Sequence, residues 1–308
     1  MILRMMLRLS FAVGLSCACL YAQAITGSNL DERVKAKIHA FPGKVSLYAQ
    51  NLETGVSYGV RAEDPVRTAS TIKLAIMTEC FSEVAEGKLK WNEPLKIADD
   101  EKVSGSGVVQ DLSDGDELPI RDLMDLMIVV SDNTATNLIL NRIGGNAVNA
   151  RMAQLGFQQT RVMRKILGDG TNLKPRPSGI TAEGAKPENK KWGIGRSSPR
   201  EMVTILEKLY HGQLVGKAAS DDMTSVLKRQ RDHDGIGRDL KDVVIANKSG
   251  ALDHLRSDVG IVYSKGGPIA MAITVDDIPE IDYTPDNPGD LLISALSQIL
   301  IDGLAADH

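Results

Sequence analysis

Cysteine is nearly absent from this sequence: 308 residues contain Cys17, Cys19 and Cys80 and no other. Two of the three fall at the N-terminus, where Arg4 and Arg8 are followed by an apolar run from Leu9 to Leu20 and by the small-x-small site Ala22-Gln23-Ala24. That order reads as a secretory signal spanning residues 1–24, which sends the chain to the periplasm or out of the cell. Neither Cys17 nor Cys19 has a leucine three residues before it, so a lipid anchor is not expected. Cleavage near Ala24 leaves Cys80 without an internal disulfide partner, even in an oxidising compartment. Among Ala75, Met77 and Phe81, Cys80 is expected to be an inert buried residue.

Other absences exclude whole classes of function. No later segment has the roughly 18 uninterrupted apolar residues of a membrane span. The net charge is only −4, with both signs mixed along the chain. This speaks against a nucleic-acid or anionic-membrane partner, which calls for a basic stripe. The five histidines form no H-x-x-x-H or comparable spacing, and no glycine-rich phosphate loop occurs, so no metal, nucleotide or other cofactor is expected. Repeats and low-complexity tracts are missing too. What remains is a chain that is 43% hydrophobic and 25% charged, ample for one large domain or two lobes sharing a cleft, expected as a monomer.

The periodicity divides that chain. Leu30, Val34 and Ile38 recur every four residues, giving a short amphipathic helix capped by Ser28 or Asn29. Val45 to Ala49 alternates, Glu53-Thr54-Gly55 turns, and Val56 to Val60 alternates again, which is a β-hairpin. From Thr68 to about Leu240 helical spacing takes over, with helices over Arg121 to Val130, over Ala135 to Ile143, and after Ser198-Pro199-Arg200-Glu201, where Ser198 caps and Glu201 can reach back. Strands return at Val243 to Lys248, Asp258 to Tyr263 and Ile269 to Val275, before a final helix from Asp290 to Leu304. The predicted class is α/β: an antiparallel sheet built from both termini (residues 25–66 and 241–308), flanked by helices, with an all-helical lobe (67–240) inserted between. A small-molecule cleft is expected where the lobes meet.

Ser70-Thr71-Ile72-Lys73 is an S-x-x-K sequence. Residues three apart share a helix face, so the lysine amine can reach the serine hydroxyl, and a serine needs such a base to become a nucleophile. Alone the pattern means little: Ser225-Val226-Leu227-Lys228 matches equally well and reads as an ordinary exposed helix face. What separates the two is company. Ser131-Asp132-Asn133 follows the apolar run Leu126 to Val130, and Lys248-Ser249-Gly250 ends a strand. Each triplet is expected by chance about a tenth of a time in such a chain, and all three in this order about a thousandfold less often than once.

That set resembles the signature of class A serine β-lactamases and penicillin-binding proteins, with Ser249 in place of the usual threonine. The stretch Val129 to Leu138 is especially similar to class A, and the likeness runs over nearly the whole mature chain. The resemblance implies a β-lactamase/transpeptidase-like fold and a β-lactam or related small-molecule substrate. It further implies that Ser70 attacks the strained lactam carbonyl, with the N–H groups of Ser70 and Ala251 forming the oxyanion hole. Ser131 would pass a proton to the departing nitrogen, and Asn133, in an extended loop, would contact the substrate amide. Lys248, Ser249 and Gly250 would hold the substrate carboxylate, with Arg256 a further candidate for it or else a surface arginine. Lys248 would also lower the proton affinity of Lys73 by like-charge repulsion. Asp132 is expected to be structural.

One element departs from the family. Class A members carry R-x-E-x-x-L-N, whose glutamate orients the deacylating water. Here Thr160 to Ile166 resembles the start of that segment, and the glutamate position holds Ile166. Isoleucine neither accepts a proton nor positions water. In the long loop that follows, Glu183, Glu188 and Asp169 are the replacement candidates, or solvated loop charges, and Trp192 either walls the cleft or anchors the loop. Three readings stay open: a β-lactamase with a displaced base, conferring antibiotic resistance; a slow penicillin-binding serine peptidase or esterase; and a ligand-binding scaffold.

Overall fold

The two ends of the chain meet in one sheet. The computed structural model describes residues 29–168 and 179–306, so residues 1–24, expected to be a signal segment, and Asp169 lie outside the described residues. Helix α1 (residues 29–39) precedes strands β1 (Lys44–Asn51) and β2 (Ser57–Val60). The chain returns to the same sheet with β8 (Val244–Leu252), β9 (Leu255–Ser264) and β10 (Gly267–Asp276), then closes on α8 (Pro288–Leu304). The order β2-β1-β10-β9-β8 is antiparallel throughout. The late strands start earlier or run later than their apolar cores suggest.

Strand alternation gives the sheet two buried faces. Val45, Leu47, Ala49, Val262, Met271 and Ile273 pack on α1 and α8 through Leu30, Val34, Ile293, Leu296 and Leu300. Ala246, Val259, Ile261, Ala270 and Ala272 face the other way, into the core of the helical lobe. Each Val, Leu, Ile or Met among them, fully buried, contributes about 1.5–3 kcal/mol to stability.

The lobe is built around α2 (Lys73–Ala85). Leu74, Ala75, Ile76, Met77, Cys80 and Phe81 are all buried, the pattern of a helix covered on every side. Around it lie α3 (Ile120–Val129), α4 (Asn133–Ile143), α5 (Gly145–Gln154), α6 (Pro199–Tyr210) and α7 (Lys217–Leu227). Two small sheets escaped the periodicity because their strands have two or three residues. One joins β3 (Val66–Arg67), β7 (Gly195–Ser197) and β6 (Arg161–Val162); the other joins β4 (Pro94–Lys96) and β5 (Glu117–Pro119). The inserted lobe is thus helical but not purely so.

Several local expectations resolve here. Ser198 caps α6 by accepting from the Glu201 N–H at 3.2 Å. Glu201 does not reach back: its carboxylate accepts from the N–H groups of Gln158, Gln159 and Thr160, fixing the chain before β6. Ser225 is exposed on α7, and its Lys228 lies 4.5 Å over the Tyr263 ring. Cys80 is fully buried, and burial pushes its thiol up to about 12, far from a reactive thiolate.

Candidate active site

Ser70 sits where the edge of the sheet meets the start of α2. Thr68 donates its N–H to Gly195 O at 3.2 Å, which ties the approach to β7. Ala69 then takes a left-handed φ of 46°, a strained conformation for a residue with a Cβ. A 3-10 turn over Ala69–Ile72 follows and runs into α2. Thr71 and Ile72 are buried while Ser70 is only half-buried, so the turn presents the serine and anchors its neighbours. Strand β8 lies against this turn. A Cβ on Gly250 would stand 2.9 Å from both Ser70 N and Thr68 O. Those are backbone atoms that cannot move aside, so only glycine lets the strand approach so closely.

Lys73, three residues on, is fully buried. Its Nζ lies 2.7 Å from Ser131 O, 3.1 Å from Ser131 Oγ and 3.2 Å from Asn133 Oδ1. Burial, and then the neighbouring Lys248 charge, hold the amine well below the usual lysine range, with Asp132 pulling weakly the other way. Both causes disfavour the ammonium form, so the amine gives up its proton more readily than an ordinary lysine and can then take one.

Ser131 and Asn133 are positioned by the helix that begins beside them. Ser131 has a φ of 56°, which turns the chain between α3 and α4. Asp132 caps α4, accepting from Ala135 N at 2.8 Å and also from Val108 N at 2.6 Å and Val109 N at 2.9 Å. It is a buried structural carboxylate that pins the residue 104–109 loop to the helix. Because Asp132 is the cap, Asn133 lies in the first turn of α4 and not in an extended loop. Its Nδ2 donates to Ser104 O at 3.1 Å while its Oδ1 faces Lys73.

Lys248 is also fully buried, on β8, and donates to Ser249 O at 2.7 Å. Burial brings its pKa down to about 8, against the pull of Asp232 and Asp258. Ser249 Oγ donates to Asp232 Oδ2 at 2.7 Å. Asp232 was not singled out in the sequence; it stands 17 residues away, and no local pattern marks it. Arg256 is not placed as expected. It is 4% exposed, and its guanidinium is engaged by Asp290, by the carbonyls of Leu252 and Leu255, and by Asp282 O. It closes the β8–β9 turn onto α8, and the residue opposite Ser249 in the sheet is Asp258.

The segment that departs from the family pattern is firmly held. Ile166 donates its N–H to Asn137 Oδ1 and accepts from Asn137 Nδ2, both at 2.9 Å. Its side chain is 9% exposed. The proposed replacements are held elsewhere. Glu183 accepts from Lys186 at 2.7 Å and Asn189 at 2.8 Å, and the Lys186 ammonium above all lowers its pKa. Glu188 is exposed in the 3-10 turn Pro187–Trp192. Among the described residues, no hydrogen bond joins either one to Ser70, Lys73 or Ser131. Trp192 lines a cavity of about 420 Å³ with Lys44, Arg67, Thr274 and Asp276; it walls that space, and none of Ser70, Lys73, Ser131 and Lys248 borders it. Among the described residues, no cluster of metal-ligating side chains occurs and no helix is long and apolar enough to cross a membrane.

Comparison with known proteins gives a consistent picture. Residues 29–304 match the model of the β-lactamase enzyme family. The chain is 27% identical over 257 residues to β-lactamase ROB-1 of Haemophilus influenzae, covering 80% of this chain and 74% of that one. In three dimensions it is similar to a β-lactamase from Sphaerobacter thermophilus, with a TM-score of 0.76, 25% identity and coverage of 90% and 97% of the two chains. It is similar as well to a mutant of PBP-A solved as an acyl-enzyme complex with penicillin G, with a TM-score of 0.74, 25% identity and coverage of 89% and 96%.

Proposed function

The chain belongs to the β-lactamase enzyme family, alongside the class A serine β-lactamases and penicillin-binding proteins, and from that premise we propose that it opens the β-lactam ring through an acyl-enzyme on Ser70. The observation that carries this reading is the buried Lys73 amine, held against Ser131 and Asn133, whose grip on its proton is weakened by burial and by Lys248.

Lys73 takes the Ser70 proton as Oγ attacks the lactam carbonyl. The developing oxyanion is received by backbone N–H groups of Ser70 and Ala251, a reading supported by the close approach of Gly250, the residue before Ala251, to Ser70 N. The proton passes to the lactam nitrogen through Ser131, next to Lys73. Lys248 draws the substrate carboxylate into the cleft by its charge. Export after cleavage near Ala24 is part of the same reading, supported by the Arg4-to-Ala24 pattern. In the periplasm such an activity would intercept antibiotics.

A second reading, a slowly turning-over penicillin binder, is favoured by one observation. Ile166, clamped at both backbone atoms by Asn137, sets an alkyl side chain where the family resemblance expects a carboxylate. Hydrolysis of benzylpenicillin by the purified mature chain, followed by loss of lactam absorbance over many equivalents, separates the two. Sustained turnover supports the β-lactamase; a burst of one equivalent followed by near-arrest supports the binder.

A further inference from the structure

The anion-receiving end of the cleft contains a carboxylate of its own. Ser249 has one hydroxyl proton, and it goes to Asp232 Oδ2 at 2.7 Å. A serine hydroxyl donates one hydrogen bond only, so while that contact lasts Ser249 offers a substrate carboxylate lone pairs and no proton. Asp232 is held there. Its N–H donates to Gln230 Oε1 at 3.1 Å, and its Oδ1 accepts from Asp234 N at 3.1 Å. Gln230 is itself buried and anchored on Ile128 O at 2.9 Å, at the end of α3. A second carboxylate, Asp258, stands opposite Ser249 across β8 and β9. The arginine that the sequence offered as a counterweight, Arg256, is engaged by Asp290.

We infer that Asp232 is a specificity-determining residue that competes with the substrate's carboxylate for Ser249, so that the site discriminates against anionic substrates in favour of those that are neutral at that end. This rests on the acyl-enzyme reading above. A negatively charged substrate must break the Ser249–Asp232 hydrogen bond and then sit beside a like charge, with Lys248 offsetting the cost. A substrate ending there in an ester or amide meets no like-charge repulsion and can accept from Lys248 while Ser249 stays on Asp232. Because Asp232 is exposed, solvent and salt screen the repulsion, and the expected discrimination is modest, about fivefold.

The test compares acylation of the mature chain by benzylpenicillin and by its methyl ester, using intact-mass time courses at low and high salt. Asp232→Asn removes the charge and keeps the acceptor; Asp232→Ala removes both; Asp232→Glu keeps the charge. The expected result is that Asn and Ala raise kcat/KM for the acid about fivefold, through KM and not kcat. The ester should stay within twofold, the gain should shrink at high salt, and Glu should behave as wild type. An unchanged acid-to-ester ratio in Asp232→Asn and Asp232→Ala, with the wild-type chain readily acylated, overturns this inference alone. Failure of both compounds to acylate the wild-type chain overturns the acyl-enzyme reading and this inference with it, and acylation by the acid with none by the ester overturns this inference alone.

Discussion

Lys73 Nζ lies 2.7 Å from the carbonyl oxygen of Ser131 and 3.1 Å from its hydroxyl. A neutral amine has two protons and one lone pair. With two protons donated to Ser131 O and Asn133 Oδ1, the lone pair is left to take the Ser70 proton, and Ser131 Oγ, 3.1 Å from Nζ, is the group to which that proton can pass next. The same side chain can thus begin the reaction as a base and return the proton through Ser131.

That arrangement makes Lys73 irreplaceable by another cation. Lys73→Ala and Lys73→Arg should each lower the acylation rate by about 10²–10⁴-fold, the range of a positioned base. Arginine stays protonated and so cannot rescue. Rapid-quench mass spectrometry with benzylpenicillin measures this; an arginine variant within tenfold of wild type would contradict the base assignment.

The two lysines set opposite limbs of the pH profile. Lys73 acts when deprotonated, and its pKa is lowered, so acylation rises with pH through a range well below that of an ordinary lysine. Lys248 acts when charged, and its pKa is about 8, so kcat/KM for a carboxylate substrate falls as pH rises past that value. Lys248→Arg, whose charge persists, should remove the alkaline limb. An alkaline limb unchanged in that variant would show that another group sets it.

Asp132 is predicted to matter for stability more than for chemistry. Asp132→Ala removes the α4 cap and leaves the N–H groups of Val108 and Val109 without their acceptor. The cap alone is worth about 0.5–2 kcal/mol and each stranded buried donor about 1–3. A loss of about 2.5–8 kcal/mol is expected from these terms, read by denaturant or thermal unfolding. A loss under about 0.5 kcal/mol, the scale of an ordinary surface substitution, would show that the loop does not depend on it.

Ile166→Glu places a carboxylate on a backbone that Asn137 already fixes. If its side chain reaches the acyl carbonyl, the adduct formed with benzylpenicillin should decay at least tenfold faster, while acylation changes little. Adduct lifetime by intact mass after a single-equivalent pulse tells; an unchanged lifetime would place the water-activating position outside Ile166.

The parts of the fold that follow from periodicity were legible in the sequence. Alternation from Val45 to Ala49 and four-residue spacing from Leu30 to Ile38 are local properties, and α1, β1 and the hairpin to β2 formed where they indicate. Ser70, Lys73, Ser131 and Lys248 were legible because their spacing is improbable by chance, and the structure brings Lys73 to Ser131 and β8 to Ser70. Sheet register was not. The two-residue turn at Asp253-His254 starts β9 at Leu255, three residues before its expected start, and this sets Asp258 opposite Ser249 and Arg256 opposite Ala251. The Ser249–Asp232 contact was hidden for the same reason: tertiary folding alone joins the loop after α7 to the end of β8.

The central claim is that Ser70 carries the acyl group, and intact-mass spectrometry of the mature chain mixed with benzylpenicillin, beside Ser70→Ala, tests it most directly. The account predicts a gain equal to one penicillin on the native chain, transient or persistent, located on the peptide containing Ser70, and none on the variant. No gain and no hydrolysis by the native chain, or an equal gain on both proteins, would contradict it.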